Sequence, residues 1–205
     1  MEAQLRNRAA EISPEDLARQ SLYGFLARVL ARPATAVERD LMTSLAQGDA
    51  PLNTALAAFL DALSETPEAD VKACYHDLFI GVGRGELLPF ASYYLTGFLN
   101  EKPLAELRVS LKRLGFARAE GVHEPEDHIA ALCDVMAQLI ADSPGDCAGI
   151  YDQERFFGDH IRPWAEQFFA DLSAAKSAGP YRFVGEIGKN FMAIEDAGFS
   201  MIARA

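Results

Sequence analysis

Apolar residues recur at intervals of three and four along almost the whole chain, and no other feature limits its fold more. This spacing places them on one face of a helix. A strand would need sustained alternation of apolar and polar residues, which no stretch shows. We therefore predict an all-α fold, a single compact helical domain of about eight to ten helices over residues 1–205, with a possible hinge near 115–123.

Capping residues and prolines divide this pattern into separate helices. Ser13 and Pro14 fit the N-cap and first position of the first helix, and Pro125 fits the first position of a strong helix further on. Pro163 lies inside a later apolar pattern and predicts a kink or a delayed start. The last helix is predicted from Tyr181 to Glu195. The residues predicted to face inward in the first helix are Leu17, Leu22, Phe25, Leu26, Val29 and Leu30. In the helix that contains Pro163 they are Phe157, Ile161, Trp164, Phe168 and Leu172. In the last helix they are Val184, Ile187, Phe191 and Ile194.

Composition limits the partners and the compartment. Thirty Asp and Glu against nineteen Lys and Arg give a formal charge of −11, which repels nucleic-acid phosphates and favours a cationic partner, or serves solubility alone. No apolar run is long enough for a membrane span, and the N-terminus lacks the pattern of a secretory signal. Cys74, Cys133 and Cys147 form no Cys-x-x-Cys pair and are expected to be buried free thiols. We therefore predict a cytoplasmic protein.

The first candidate site is a glycine loop followed by an apolar segment. Gly81-Val-Gly-Arg-Gly85 follows a predicted helix instead of a strand, and it lacks the Gly-Lys-Ser/Thr of a phosphate-binding loop. The glycines predict a helix end and a close backbone approach. The apolar side chains that follow either fold onto the core or form an exposed surface that binds a partner. They are Leu87, Leu88, Pro89, Phe90, Tyr93 and Tyr94.

The second candidate site is an acidic segment at a predicted helix start. Glu124, Glu126 and Asp127 would be stabilised there by the positive end of the helix dipole, either as caps or as acceptors for a cationic ligand. His128 lies about 100° further round the helix, towards the buried side. A packed histidine is the commoner outcome at such a position, and a hydrogen bond to a ligand is the alternative.

The sequence does not indicate an enzyme or a metal protein. His123 and His128 are five residues apart and lack the spacing of zinc ligands on a helix, and the paired Glu-x-x-His motifs of a dinuclear carboxylate site do not occur. A Gly-x-Ser-x-Gly nucleophile motif is missing as well. We predict no catalytic residues, no resident cofactor and no metal.

At these residues the chain resembles the TorD/DmsD family of redox-enzyme maturation chaperones, which also includes NarJ-like members. The three motifs of this resemblance, in order, are Tyr75–Phe79 with Pro89–Tyr93, Glu124–His128 with Met136, and Phe156, His160 and Trp164. The similarity covers roughly residues 15–195. The departures are Leu132 and Asp134 where the family commonly has glutamates, Val135 in place of an aromatic residue, and Phe90 where some members have Trp. These departures leave the identity of the client open.

The resemblance implies a cytoplasmic chaperone for a molybdenum- or tungsten-cofactor oxidoreductase. Members bind the twin-arginine signal peptide of their client and hold the apoenzyme until its cofactor is inserted, which prevents premature export. Glu124, Glu126 and Asp127 would accept the guanidinium groups, while aromatic residues cover the apolar part of the signal. The residues implied in peptide binding are Phe79, Arg84, Leu88, Pro89, Phe90, Ser92, Tyr93, Tyr94, Glu124, Glu126, Asp127 and His128.

Two alternatives to peptide binding stay open. An accessory protein of the same maturation pathway would bind a nucleotide or pterin, with weak GTP or molybdenum-cofactor binding at the glycine loop through Arg84 and backbone amides. A helical scaffold without a peptide-binding role predicts that Phe90 and Tyr93 are buried. The chain is expected to be a monomer or, with hinges near 115–121 and 143–146, a domain-swapped dimer.

Overall fold

The computed structural model describes residues 12–118, 121, 124–142 and 147–202. Within these ranges the chain forms ten helices and no strand beyond one isolated bridge, which confirms the all-α prediction. The helices are α1 (Pro14–Ala31), α2 (Ala36–Met42), α3 (Pro51–Glu65), α4 (Glu68–Phe79), α5 (Ala91–Thr96), α6 (Lys102–Arg113), α7 (Ile129–Asp142), α8 (Cys147–His160), α9 (Ala165–Ala174) and α10 (Tyr181–Ile202). His123 and much of the two predicted hinges (residues 119, 120, 122, 123 and 143–146) lie outside the described ranges.

Two helix pairs form most of the core. α1 packs along α7, α10 packs along α9 and α3, and α8 lies against α7. Tyr23 on α1 joins the two pairs, because its ring contacts Phe191 on α10 edge to face with 4.7 Å between centroids. The largest fully buried side chains are aromatic and include Tyr23, Phe25, Phe59, Phe156, Phe157, Phe168, Phe169, Tyr181 and Phe191.

A buried carboxylate fixes α10 against α1. Arg19 donates to Glu195 through Nε at 2.7 Å and Nη2 at 2.9 Å, and the Tyr23 hydroxyl donates to the same carboxylate at 3.0 Å. A charge is costly to bury without such partners, so these bonds favour one register of the last helix. Burial and the nearby Glu195 charge raise the pKa of Tyr23.

The start of α1 agrees with the sequence prediction. Leu17 and Ile194, which were predicted to face inward, are exposed instead. The Ser13 hydroxyl accepts the Asp16 N–H at 3.0 Å as an N-cap, with Pro14 in the first turn. Leu17 is 51% exposed, because it precedes Leu22 by five residues and so lies about 140° away from it round the helix. Ile194 is 53% exposed, since the neighbouring Glu195 takes the inward place on that turn.

Three predicted helix limits are also corrected. The helix predicted from Pro125 begins at Ile129 instead, because the Ile129 N–H donates to the Pro89 carbonyl from another segment. The apolar pattern around Pro163 extends over two separate helices, α8 and α9, instead of one. Proline has no N–H to continue the ladder, and the Trp164 indole N–H donates to the last carbonyl of α8 at 2.8 Å. The last helix continues to Ile202, beyond the predicted end.

Candidate functional site

Backbone hydrogen bonds join the two motifs that the sequence separates. The Ala91 N–H donates to the Asp127 carbonyl at 3.0 Å, and the Ile129 N–H donates to the Pro89 carbonyl at 2.9 Å. The residues between these bonds form an isolated antiparallel bridge. The segment after the glycine loop and the acidic segment therefore meet as one structural unit, at the starts of α5 and α7.

The Asp127 side chain closes this junction from inside. Its Oδ2 accepts the Ser92 N–H at 2.8 Å and also the Ser92 hydroxyl. Asp127 is 1% exposed and Ser92 is fully buried, and Oδ1 of Asp127 has no hydrogen-bond partner among the described residues. We call this contact the Ser92–Asp127 clasp. Since both side chains face inward, Asp127 is turned away from any peptide on the surface.

His128 is a buried neutral histidine at the same junction. Its Nδ1 accepts the Ala130 N–H at 3.1 Å, and its ring meets Phe90 edge to face with 5.0 Å between centroids. Burial lowers the pKa of His128 to about 4, so the ring is uncharged at neutral pH. Because Nδ1 accepts a hydrogen bond, the single proton of the neutral ring is assigned to Nε2.

Glu126 points the opposite way and binds two arginines of its own chain. Arg118 donates to both carboxylate oxygens, from Nε to Oε1 at 3.2 Å and from Nη2 to Oε2 at 2.6 Å. Arg108 donates to Oε2 from Nε at 3.1 Å and from Nη2 at 2.9 Å. Burial opposes ionisation, but the bonds from Arg118 and Arg108 outweigh it and lower the pKa of Glu126 to about 2. The carboxylate is thus ionised across the physiological range.

A cleft of about 640 Å³ lies between α1 and α7, beside the acidic segment. Its size is that of a ligand or peptide side-chain site. Its apolar lining includes Gly24, Ala27, Ala31, Ala130, Ala131 and Val135, and its charged lining includes Arg28, Arg32, Arg118, Glu124, Glu126 and Asp134. His128 lines the cleft as well, and Glu124 is exposed to solvent. The cleft therefore combines an apolar surface with three carboxylates and three arginines.

The glycine loop folds tightly back onto α4. Gly81 has a φ of +60°, and a Cβ there would lie 2.1 Å from the Arg84 carbonyl oxygen. A Cβ on Gly85 would lie 2.6 Å from the Leu78 carbonyl oxygen, which also accepts the Leu87 N–H at 2.8 Å. Side chains at these two positions would collide with backbone, so the glycines permit the close approach that the sequence predicts.

The remaining candidate residues lie around α5. Arg84 Nη2 donates to the Tyr93 hydroxyl at 3.1 Å, and its guanidinium lies 5.5 Å from the ring centre. Tyr94 packs on Trp164 with 5.3 Å between centroids, and Phe79 packs against core aromatics. Phe79, Leu88, Phe90, Tyr93 and Tyr94 are half-buried, and Pro89 is buried. The half-buried state of Phe90 and Tyr93 differs from the burial that a simple scaffold predicts.

Those residues predicted from the sequence that line the cleft lie on one side of it, and none of them lies on the other side. The structure unites Pro89, Phe90, Ser92, Asp127 and His128 at the junction, and it places Glu124, Glu126 and His128 on the cleft. The α1 side of the cleft was not predicted, although Gly24, Ala27 and Ala31 recur at intervals of three and four. The bonds of Arg108 and Arg118 to Glu126 were not predicted either.

Three further predictions concern metal binding, membrane spans and the cysteines. In the ranges that the structure describes, no group of three or more His, Cys, Asp or Glu is placed to hold a metal ion. No helix among these residues is both long and apolar enough to cross a membrane. Cys133 is a buried free thiol as predicted, and burial raises its pKa. Cys74 is free but only half-buried, which corrects the prediction for that residue, and the side chain of Cys147 lies outside the described part of the chain.

Comparison with known proteins gives one family and several named relatives. Residues 45–170 match the family model described as nitrate reductase delta subunit. The Chaperone protein TorD of Vibrio vulnificus (strain YJ016) is 32% identical over 146 residues, which is 63% of this chain and 67% of the relative. The Chaperone protein TorD of Photobacterium profundum is 27% identical over 184 residues, which is 80% of this chain and 85% of the relative. These relatives are chaperones, in agreement with the prediction that the chain is not an enzyme.

Proposed function

This chain belongs to the nitrate reductase delta subunit family of TorD-like chaperones, and from that premise we propose that it is a maturation chaperone for a molybdenum- or tungsten-cofactor oxidoreductase. It binds the twin-arginine signal peptide and the apo form of its client in the cytoplasm. By holding the client until its cofactor is inserted, it prevents premature export. The family membership confirms the resemblance predicted from the sequence, and the steps of client handling are the proposal.

The observation that carries this proposal is the cleft between α1 and α7. A twin-arginine signal joins two arginines to an apolar segment, and the cleft joins an apolar lining to the carboxylates of Glu124 and Glu126. The apolar segment would lie along Ala27, Ala130 and Val135, as a helix lies in a hydrophobic groove. The client's arginines would lie beside Glu124 and Glu126, because charge-assisted hydrogen bonds to carboxylates are strong. The net charge of −11 also favours a cationic segment.

Exposed apolar side chains next to the junction support contact with a larger part of the apo client. Val82 is fully exposed at the tip of the glycine loop, and Phe98 is 69% exposed beyond α5. Ile80, Leu95 and Leu99 are exposed on the same two segments. Side chains of this kind on a soluble protein tend to mark surfaces that bind partners. We assign this surface to the folded part of the client and the cleft to its signal.

We propose no resident cofactor, and the sequence of the glycine loop and the charge of the chain favour this over the nucleotide alternative. The loop lacks the Gly-Lys-Ser/Thr of a phosphate-binding loop. The formal charge of −11 also repels phosphate groups. Competition of GTP with a client peptide, followed by calorimetry, tests the alternative. Sedimentation velocity at several concentrations tests whether the chain is a monomer or a domain-swapped dimer.

The proposed function is tested by calorimetric titration with a synthetic twin-arginine signal peptide. We expect binding, and binding weaker by at least about tenfold when both arginines are replaced by lysine, because lysine cannot form the two-pronged bond to a carboxylate. Ala131→Phe, which fills the cleft, should abolish binding. Ala73→Phe on the exposed side of α4 is the matched control. Equal affinities for the arginine and lysine peptides, or full binding by Ala131→Phe, would rule out this use of the cleft.

A further inference from the structure

Glu126 is already occupied by a pair of guanidinium groups from its own chain. Arg108 lies on α6 and Arg118 lies beyond its end, yet both converge on the same carboxylate, with four N–H···O bonds between 2.6 and 3.2 Å. Arg118 and Glu126 also line the cleft beside Glu124. A carboxylate that accepts two arginines in this way has the geometry of a receptor for paired arginines.

These internal contacts are weak enough to be exchanged. The side chain of Glu126 is 18% exposed, while those of Arg118 and Arg108 are 35% and 52% exposed. Water solvates and screens such pairs, so each one stabilises the protein only slightly. Release of one arginine returns its charge to water, and an incoming guanidinium restores the lost bonds. An exchange of this kind has little net cost for the protein.

We propose that Glu126 is a receptor for two guanidinium groups, and that Arg108 and Arg118 are internal ligands which an arginine pair of the client displaces. The proposal rests on the proposed function only for the source of the arginine pair. It makes Glu126 a residue that determines specificity, because a lysine has one compact ammonium group and cannot replace the fork of an arginine. The internal arginines also keep the carboxylate paired while no client is bound.

The opposite interpretation is that Arg108 and Arg118 position Glu126 for the client. The two interpretations predict opposite changes in affinity when one of these arginines is removed. If the arginines compete, removal of either tightens binding. If they position the carboxylate, removal weakens binding. The matched control is Arg113, which is exposed on the same helix as Arg108 and pairs with Asp152 at 2.8 Å instead. Arg113→Gln changes the net charge by the same amount without touching Glu126.

The test is an NMR titration of the isotope-labelled full chain with arginyl-arginine amide, which carries the paired guanidinium groups without an apolar segment. Arg118→Gln should bind this probe about two- to fivefold more tightly than the wild type, the range expected for loss of one exposed ion pair. Arg108→Gln should also increase the affinity, and the affinity of Arg118→Lys should lie between those of the wild type and Arg118→Gln. Arg113→Gln should leave the affinity unchanged. The Nε–H signals of Arg108 and Arg118 should shift as the probe displaces them.

Four results would overturn the proposal. The first three are weaker or unchanged binding by Arg118→Gln, an equal gain in affinity in Arg113→Gln, and a gain that survives in the double variant Arg118→Gln with Glu126→Gln. Absence of any binding of the probe to the wild type and to Arg118→Gln also overturns it. If the probe behaves as expected while the complete signal peptide fails to bind, the receptor stands and the proposed function fails.

Discussion

Glu126 and Asp127 are consecutive carboxylates with opposite surroundings. Asp127 is 1% exposed and accepts hydrogen bonds from the backbone and hydroxyl of Ser92. The side chain of Glu126 is 18% exposed and accepts four bonds from two surface arginines. One carboxylate therefore fastens the acidic segment to the start of α5, and the other presents charge at the cleft.

This difference shows that carboxylates of one acidic motif can have different structural roles, which the motif by itself does not distinguish. The sequence places Glu124, Glu126 and Asp127 together as acceptors for a cationic ligand, because all three carry the same charge. In the structure the segment is a turn before α7, so neighbouring side chains leave it in different directions. Of these three carboxylates, Glu124 and Glu126 line the cleft and Asp127 does not. Asp127 instead fastens the segment to the start of α5 through Ser92.

The largest expected effect is the loss of the Ser92–Asp127 clasp. Asp127→Ala removes two charge-assisted hydrogen bonds and leaves the Ser92 donors buried without an acceptor, so the free energy of unfolding should fall by about 3 to 5 kcal/mol. Glu126→Ala should lower it by less than about 1 kcal/mol, because its ion pairs are exposed. Urea denaturation of both variants measures the difference. Equal losses in the two variants would remove the distinction between the carboxylates.

The second effect is a pH dependence from His128 at the same junction. Burial lowers the pKa of His128 to about 4 in the folded protein, against an ordinary value of 6.5. Between these values the unfolded chain binds a proton that the folded chain does not, so stability falls as the pH falls from 6.5 to 4. At about 1.4 kcal/mol per unit of pKa difference, the loss approaches about 3 kcal/mol.

Urea denaturation at several pH values checks this titration. His128→Asn is the informative variant, since its side-chain oxygen can still accept the Ala130 N–H but cannot take up a proton in this range. Its stability should depend less steeply on pH than that of the wild type. His160 also has a pKa lowered mainly by burial and keeps its own contribution in both proteins. Identical slopes in the two proteins would show that His128 is not held neutral by the fold.

Helical periodicity was sufficient to predict the fold class and much of the core. Side chains on a regular helix point in directions set by their spacing, and Phe25, Leu26 and Val29 are buried as predicted. The prediction failed where a long-range contact decided the outcome. Pro125 is a good first residue for a helix, but α7 begins at Ile129, whose N–H is taken by the Pro89 carbonyl.

The candidate site was less predictable for the same reason. Motif residues identified the two segments, but nothing local indicates that Ser92 and Asp127 meet across 35 residues. In a turn without a fixed period, spacing does not tell which carboxylate points inward. The partners of Glu126 come from α6 and the segment after it, so their approach depends on the tertiary packing. The sequence therefore indicates the chemical groups of the site more reliably than their contacts.

A smaller effect separates the two bonds within the clasp. Ser92→Ala removes the hydroxyl bond to Asp127 but keeps the backbone N–H bond at 2.8 Å. The free energy of unfolding should fall by about 2 kcal/mol, the usual contribution of one hydrogen bond to a charged group. A double-mutant cycle with Asp127→Ala should be clearly non-additive, because both substitutions remove the same contact. Additive losses would mean that the hydroxyl and the carboxylate act independently.

The smallest effect on stability should accompany a large effect on binding, at Glu126. Glu126→Gln keeps the shape of the side chain and removes its charge, so the free energy of unfolding should change by less than about 1 kcal/mol. Affinity for the twin-arginine peptide should fall about tenfold, since two charge-assisted bonds become neutral ones.

Calorimetry at low and high salt measures both the loss of affinity and its electrostatic origin. Added salt should weaken binding by the wild type more than by Glu126→Gln, because it screens the charge that only the wild type carries. A variant that binds as the wild type does would assign the arginines to Glu124 instead and would leave Glu126 with its internal arginines as a surface ion pair.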